Sequence, residues 1–261
     1  MIARFASLAA LLLTSAPLLA QQREPTAEDH ARWAREAHER THNDWAWLAR
    51  YREENQKLTP TLGSPRIVFM GDSITEGWRN IVPSFFKPGR IGRGISGQTT
   101  PQMLVRMRQD VIALKPAVVH IMAGTNDVAG NTGQTSDLEI QNNIRSMTEL
   151  AQAHGIKVIL ASIPPAADFP WKKGINPGPR IQRLNAWLKG YAQRSGSVYA
   201  DYWTATHDGL GFRQGLAYDG VHPSAEGYAV MAPVAEAAIA RALALRSPGM
   251  ALACAKAKNP C

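Results

Sequence analysis

The chain has 261 residues, 45% of them hydrophobic, and a formal net charge of +8 at pH 7. That length and apolar content exclude a disordered chain and suit one large α/β domain with a full core. The basic residues, among them Arg32, Arg35, Arg40, Arg106, Arg108, Lys172, Lys173 and Arg241, are scattered rather than gathered into a tract that would point to nucleic acid, so the excess reads as a solvated surface or as attraction to anionic lipid or acidic polysaccharide.

Residues 1–20 read as a secretory signal peptide. Arg4 is a short positive start, Phe5–Leu13 an apolar stretch and Ala20 a small residue at the cut. The run is short against the ~20 apolar residues of a spanning helix, and it carries Pro17. No cysteine sits near the cut to carry a lipid. An exported protein, periplasmic or secreted, without stable membrane insertion is expected. Cys254 and Cys261 are the only cysteines, and in an oxidising compartment they could close a small terminal loop. Two cysteines with no histidine nearby do not make a metal site.

Residues 21–60 read as a helical N-terminal extension. Thr26 with Asp29 resembles a capping box. Trp33, Trp45, Trp47, Leu48 and Tyr51 form an apolar stripe over two helices broken near residues 41–43. Packing against the main domain is the first reading of that stripe, and a contribution to a substrate rim the second. Residues 60–65 link into a domain over residues 61–246, with a tail at 247–261.

The domain begins with Ile67–Met70, an unbroken apolar run typical of a strand buried on both faces. Gly71 permits a sharp turn, and Asp72 and Ser73 follow at the strand's carboxyl end, where open α/β sheets bind ligands. Further strands are expected at residues 90–95, 117–122, 156–163 and 197–202. Helices are expected from Thr100-Pro101 to about Leu114, from a Ser136/Glu139 capping box to Gly155, at residues 179–195 with Gly196 as the cap, and after His222 to about Leu245. Strands alternating with helices predict a parallel-sheet three-layer α/β/α sandwich in a single domain. His120, inside the third strand, reads as a core histidine.

Serine is a weak nucleophile until a base takes its proton. Asp219-Gly220-Val221-His222 supplies a carboxylate three residues before an imidazole, in the loop between the last strand and the last helix. That loop opens on the same sheet edge as Ser73 and Asn126. No G-x-S-x-G elbow occurs. Gly92-Arg93-Gly94-Ile95-Ser96-Gly97 matches a dinucleotide fingerprint but follows the second strand, and Pro101 delays the helix. Its glycines read instead as a loop that brings backbone N–H groups near a reacting atom. Asp72 reads as a brace for the turn, and Trp78, Trp171, Trp203 and His207 as pocket walls.

Four blocks, G-D-S-I-T-E-G (71–77), R-G-I-S-G-Q-T (93–99), G-T-N-D (124–127) and D-G-V-H-P (219–223), occur in the order of the SGNH, or GDSL-type, hydrolase family, which the chain resembles from about Arg66 to the last helix. The resemblance implies that Ser73 is the nucleophile and His222 the base, with Asp219 supporting it. It also implies an oxyanion hole from the Ser73 N–H, the Gly97 N–H and the Asn126 side chain, with no cofactor or metal. The second block often begins with Asn where this chain has Gly92, and often has Asp where it has Gln98. The expected activity is hydrolysis of small-molecule or polysaccharide esters through an acyl-serine. Short acyl groups such as O-acetyl on carbohydrate are favoured because no long apolar lid segment is present. A lysophospholipid or other lipid ester is the alternative, and an acyltransferase or a non-catalytic carbohydrate-binding protein on the same fold are further readings. Nothing in the sequence sets the oligomeric state.

Overall fold

The computed structural model describes residues 26–59 and 64–245. The signal segment, the start of the 60–65 link, the tail and both cysteines lie outside the described residues, as does the side chain of Trp33. Two units are present, residues 1–39 and 40–261. The first holds most of helix α1 (Ala27–Asn43).

The second unit carries α2 (Arg52–Lys57), β1 (Ile67–Gly71), α3 (Ser73–Ile81), β2 (Arg90–Gly94), α4 (Thr100–Asp110), β3 (Val118–Met122), α5 (Thr125–Ala129) and α6 (Asp137–Ala153). It continues with β4 (Lys157–Ala161), α7 (Gly178–Ser195), β5 (Val198–Ala200), α8 (Tyr202–Thr206), β6 (His207–Asp208), β7 (Gly211–Phe212) and α9 (Ala225–Ala244). The main sheet is parallel throughout in the order β2-β1-β3-β4-β5.

Period-two alternation divides each strand between two cores. Val68, Met70, Val119, Ile121, Val158 and Leu160 face α4, α6 and α7. Ile67, Phe69, Val118, Met122 and Ile159 face α3 and α9. The result is the expected α/β/α sandwich. α9 is apolar and long enough to cross a bilayer by length and composition, but Tyr228, Met231, Ala235, Ala238 and Ala242 are buried against the sheet. Because β2 and β3 lie on opposite sides of β1, the strand order reverses there, and a crevice opens at the carboxyl ends of β1 and β3.

Local chemistry explains where boundaries differ from expectation. The fifth strand ends at Ala200 because the Asp201 carboxylate accepts the Thr204 N–H and starts α8. α4 stops at Asp110, and a 3₁₀ turn (Ile112–Leu114) follows, closed by Lys115 at φ +50°. The β6–β7 hairpin pairs only two residues on each side, too few to leave a pattern in sequence.

The most constrained polar group is Arg106 on α4, which is fully buried. Its guanidinium donates to Gly71 O (2.9 Å), Gln98 Oε1 (2.5 Å) and Asp110 Oδ2 (3.2 Å). Asp110 is also fully buried and accepts from Asn55 Nδ2 at 2.7 Å. Arg106→Ala leaves the buried Asp110 carboxylate without its cation and takes one of the hydrogen bonds from Gly71 O, so we expect a loss of about 3–5 kcal/mol of stability, read by urea unfolding.

Candidate active site

Four loops at the carboxyl edge of the sheet build the site. At the end of β1 the chain reverses directly into α3, so tightly that a Cβ on Gly71 would lie 2.0 Å from Thr75 Oγ1. Asp72 caps α3 by accepting the Ile74 N–H at 3.0 Å. Ser73 is the first residue of that helix, so its N–H and hydroxyl both sit at a helix N-terminus with unpaired donors.

Ser73 Oγ lies 2.9 Å from His222 Nε2, and His222 Nδ1 donates to Asp219 Oδ2 at 2.7 Å. The other Asp219 oxygen accepts the His222 N–H at 2.7 Å and the Val221 N–H at 3.0 Å, which fixes the carboxylate within its own turn. Partial burial raises the Asp219 carboxyl, but these hydrogen bonds outweigh it, and the group titrates below the usual carboxylate range. Two rings lie against the imidazole, Tyr218 at 5.6 Å and nearly parallel, and Trp171 at 5.8 Å and tilted. Such an alignment can pass a proton from hydroxyl to imidazole while the carboxylate holds the tautomer.

Two further loops complete the cleft. Gly97 has φ +77°, a left-handed conformation that favours glycine. Glu76 accepts the Ser96 N–H (2.9 Å) and hydroxyl (2.7 Å) and pairs with Arg50 at 3.1 Å, so this loop is held from α3. Asn126, on α5, accepts from Asn131 Nδ2 at 2.8 Å and donates to Gln98 O at 3.0 Å. Its remaining contact, to Asp72 at 3.4 Å, is long enough to yield to a better acceptor. Ser73, Gly97, Asn126 and His222 all line one cleft of about 470 Å³.

The proposed pocket walls separate into two groups. Trp171 lines the cleft, is 44% exposed, and donates its indole N–H to Asn131 at 3.2 Å. Trp78 does not line it: fully buried, it stacks on Phe85 at 4.4 Å and on Tyr228 at 5.4 Å. Ile74, Thr75 and Trp78 form the inward stripe of α3, which turns the indole into the core. Trp203 belongs to the other core, and His207 stacks on it at 5.6 Å, away from the cleft. Asp72 is buried behind Ser73 as a turn brace and does not line the cleft. His120 is buried on Phe69 and bonded to Tyr202, and desolvation lowers it to about 3, so it is neutral.

Asn131, Glu76 and Tyr218 were not anticipated. Tyr218 directly precedes the Asp-x-x-His turn and closes it by donating its N–H to His222 O at 3.0 Å. Asn131 lies four residues beyond G-T-N-D, so its proximity to that block was the available signal. Among the described residues, no group of three or more His, Cys, Asp or Glu is placed to hold a metal.

A hydroxyl, an imidazole and a carboxylate in line at the carboxyl edge of a parallel sheet is the arrangement of serine-type hydrolases. Residues 69–230 match the GDSL-like lipase/acylhydrolase family, and the chain belongs to that family of ester hydrolases. It is 48% identical to a proposed acylhydrolase of Bacteroides fragilis, whose crystal structure superposes with a TM-score of 0.74 over 77% of this chain and 99% of that one. It is 29% identical to the esterase TesA of Pseudomonas aeruginosa over 64% of this chain and 84% of that protein. It is 27% identical to an acetylxylan esterase of Geobacillus stearothermophilus over 54% of this chain and 68% of that protein.

Burial pushes the Asp72 carboxyl from the usual 3.8 up to about 6. The unfolded chain therefore releases this proton first as pH rises from 4 to 6, and stability falls through that window. Asp72→Asn removes the charge. The variant should gain about 2–3 kcal/mol on wild type between pH 4 and pH 7, measured as the change in urea midpoint difference between the two pH values.

Proposed function

We propose that the protein is an exported serine esterase that removes short acyl groups, O-acetyl above all, from carbohydrate. The observation that carries this is the Ser73–His222–Asp219 alignment, with separations of 2.9 Å and 2.7 Å, at the mouth of a small cleft. Ser73 Oγ attacks the ester carbonyl as His222 Nε2 takes its proton. The tetrahedral oxyanion accepts hydrogen bonds from the Ser73 N–H, the Gly97 N–H and the Asn126 amide, one such donor being worth about 3 kcal/mol of barrier. Collapse breaks the ester C–O bond, and the imidazolium returns its proton to the departing alcohol. Water then attacks acyl-Ser73 with His222 again as base, releasing the acid and restoring the serine.

Asp219 keeps Nδ1–H pointed away from the hydroxyl and stabilises the imidazolium. Its depressed titration keeps it ionised wherever His222 is a useful base. The short-acyl assignment is supported by cleft size: about 470 Å³ must hold the acyl group and part of the alcohol. The resemblance to an acetylxylan esterase favours a sugar as that alcohol. Export is supported by the character of residues 1–20, from Arg4 to Ala20.

Initial rates on p-nitrophenyl esters from acetate to decanoate should peak at acetate. Ser73→Ala should lower kcat on the order of a million-fold and shift stability by less than about 1 kcal/mol. A peak at long chains would move the assignment to lipid esters. Retained activity in Ser73→Ala would remove the nucleophile assignment.

A further inference from the structure

A second cleft, about 460 Å³, adjoins the first and shares Ser96, Gly97 and Asn131 with it. Its far side is made by Trp45 and Trp47, which precede the stretch that matches the family. Trp45 is a large aromatic side chain left 40% exposed. Thr41, Ile95, Gln98, Gln102 and Thr132 complete the lining.

The tryptophan segment is built, not draped. The Asp44 carboxylate accepts the Leu48 and Ala49 N–H groups at 2.7 and 2.8 Å. Trp47 has φ +51°, a conformation a bulky residue holds only when its surroundings enforce it. Three glutamines of the facing segment each donate a side-chain N–H to a backbone carbonyl of this one. Gln98 reaches Ala46 O (2.7 Å), Gln102 reaches Trp45 O (2.8 Å) and Gln109 reaches Leu48 O (2.6 Å). Gln98 is also the residue after Gly97 and the acceptor for buried Arg106. An aspartate there could accept from Arg106 but would have no N–H for the Ala46 carbonyl. The tryptophans are thereby registered to the loop that carries Gly97.

We propose that this second cleft is a glycan subsite: with the acylated sugar at Ser73, the neighbouring sugar of the same chain stacks on Trp45 and hydrogen-bonds to the polar wall. This deepens the esterase reading above and rests on it for the direction of the chain. Aromatic faces pack against the apolar C–H faces of pyranose rings, and amides and hydroxyls match their equatorial hydroxyls. A fatty chain would instead need a continuous apolar wall, and the lining here is mainly polar.

The test is direct binding to full-length protein made inactive by Ser73→Ala. Calorimetry would use O-acetylated xylo- and manno-oligosaccharides, each from monomer to hexamer. The expected result is affinity that rises between monomer and longer oligomers for at least one series, falls about tenfold when Trp45→Ala is added and is largely kept in Trp45→Phe. Thermal unfolding confirms that the variants are folded. No binding to any series, no length dependence, or equal affinity in Trp45→Ala overturns the subsite. Length-dependent binding through Trp45 without hydrolysis of these esters by wild type would leave the subsite and remove the esterase reading. Hydrolysis of p-nitrophenyl acetate without such binding would do the reverse.

Discussion

The buried guanidinium of Arg106 is what the site's geometry depends on. A cation with no exposure costs several kcal/mol to desolvate and is tolerated only if its donors are satisfied. Here they are met by the carbonyl that ends β1, by the amide that follows Gly97 and by Asp110 on the same helix. One group thus ties the strand that delivers Ser73 to the loop that delivers Gly97. Asp110 extends the tie to Asn55, which in turn accepts from Arg93 on β2 at 2.7 and 2.9 Å. Movement of the strand end or the loop would cost the buried cation a hydrogen bond, so their relative position is strongly fixed.

Against this rigid floor, the proposed base and its carboxylate partner stay partly exposed, and His222 lines the cleft. His222 keeps 18% and Asp219 27% of their side-chain surface exposed, whereas Asp72 keeps 1%. The carboxylates that flank Ser73 and His222 consequently behave in opposite ways. Asp219 gains three hydrogen bonds from its own turn and stays ionised, while Asp72 is dominated by desolvation and holds its proton well above the usual range. That difference fits Asp219 as the partner of imidazolium and Asp72 as a cap for the helix that bears Ser73.

The parts of this site that sequence made legible are those carried by short-range chemistry. Ile67–Met70 announced a buried strand, Ser73 stood at its carboxyl end, and the last loop held a carboxylate three residues before an imidazole. Trp78 was also legible in retrospect, since Ile74, Thr75 and Trp78 share the inward face of one helix. Trp203 and His207 were not, because α8 is a single short turn started by the Asp201 cap and leaves no periodicity. Asn131 was half legible: its contact with Asn126 is only five residues away, beside the G-T-N-D block, but its contact with Trp171 spans forty residues and leaves no local pattern. The glutamine contacts to residues 45–48 are hidden for the same reason, as they span about fifty to sixty positions.

Acyl transfer to Ser73 is the step on which the proposed mechanism stands, and it would leave a covalent mark. Wild-type protein would be mixed with p-nitrophenyl acetate, quenched in acid within the first turnovers, digested and read by peptide mass spectrometry. One acetyl group on Ser73, growing with the initial release of p-nitrophenol and lost as turnover is completed, is the predicted result. Turnover with Ser73 unmodified, or with the acetyl group on another side chain, would contradict it.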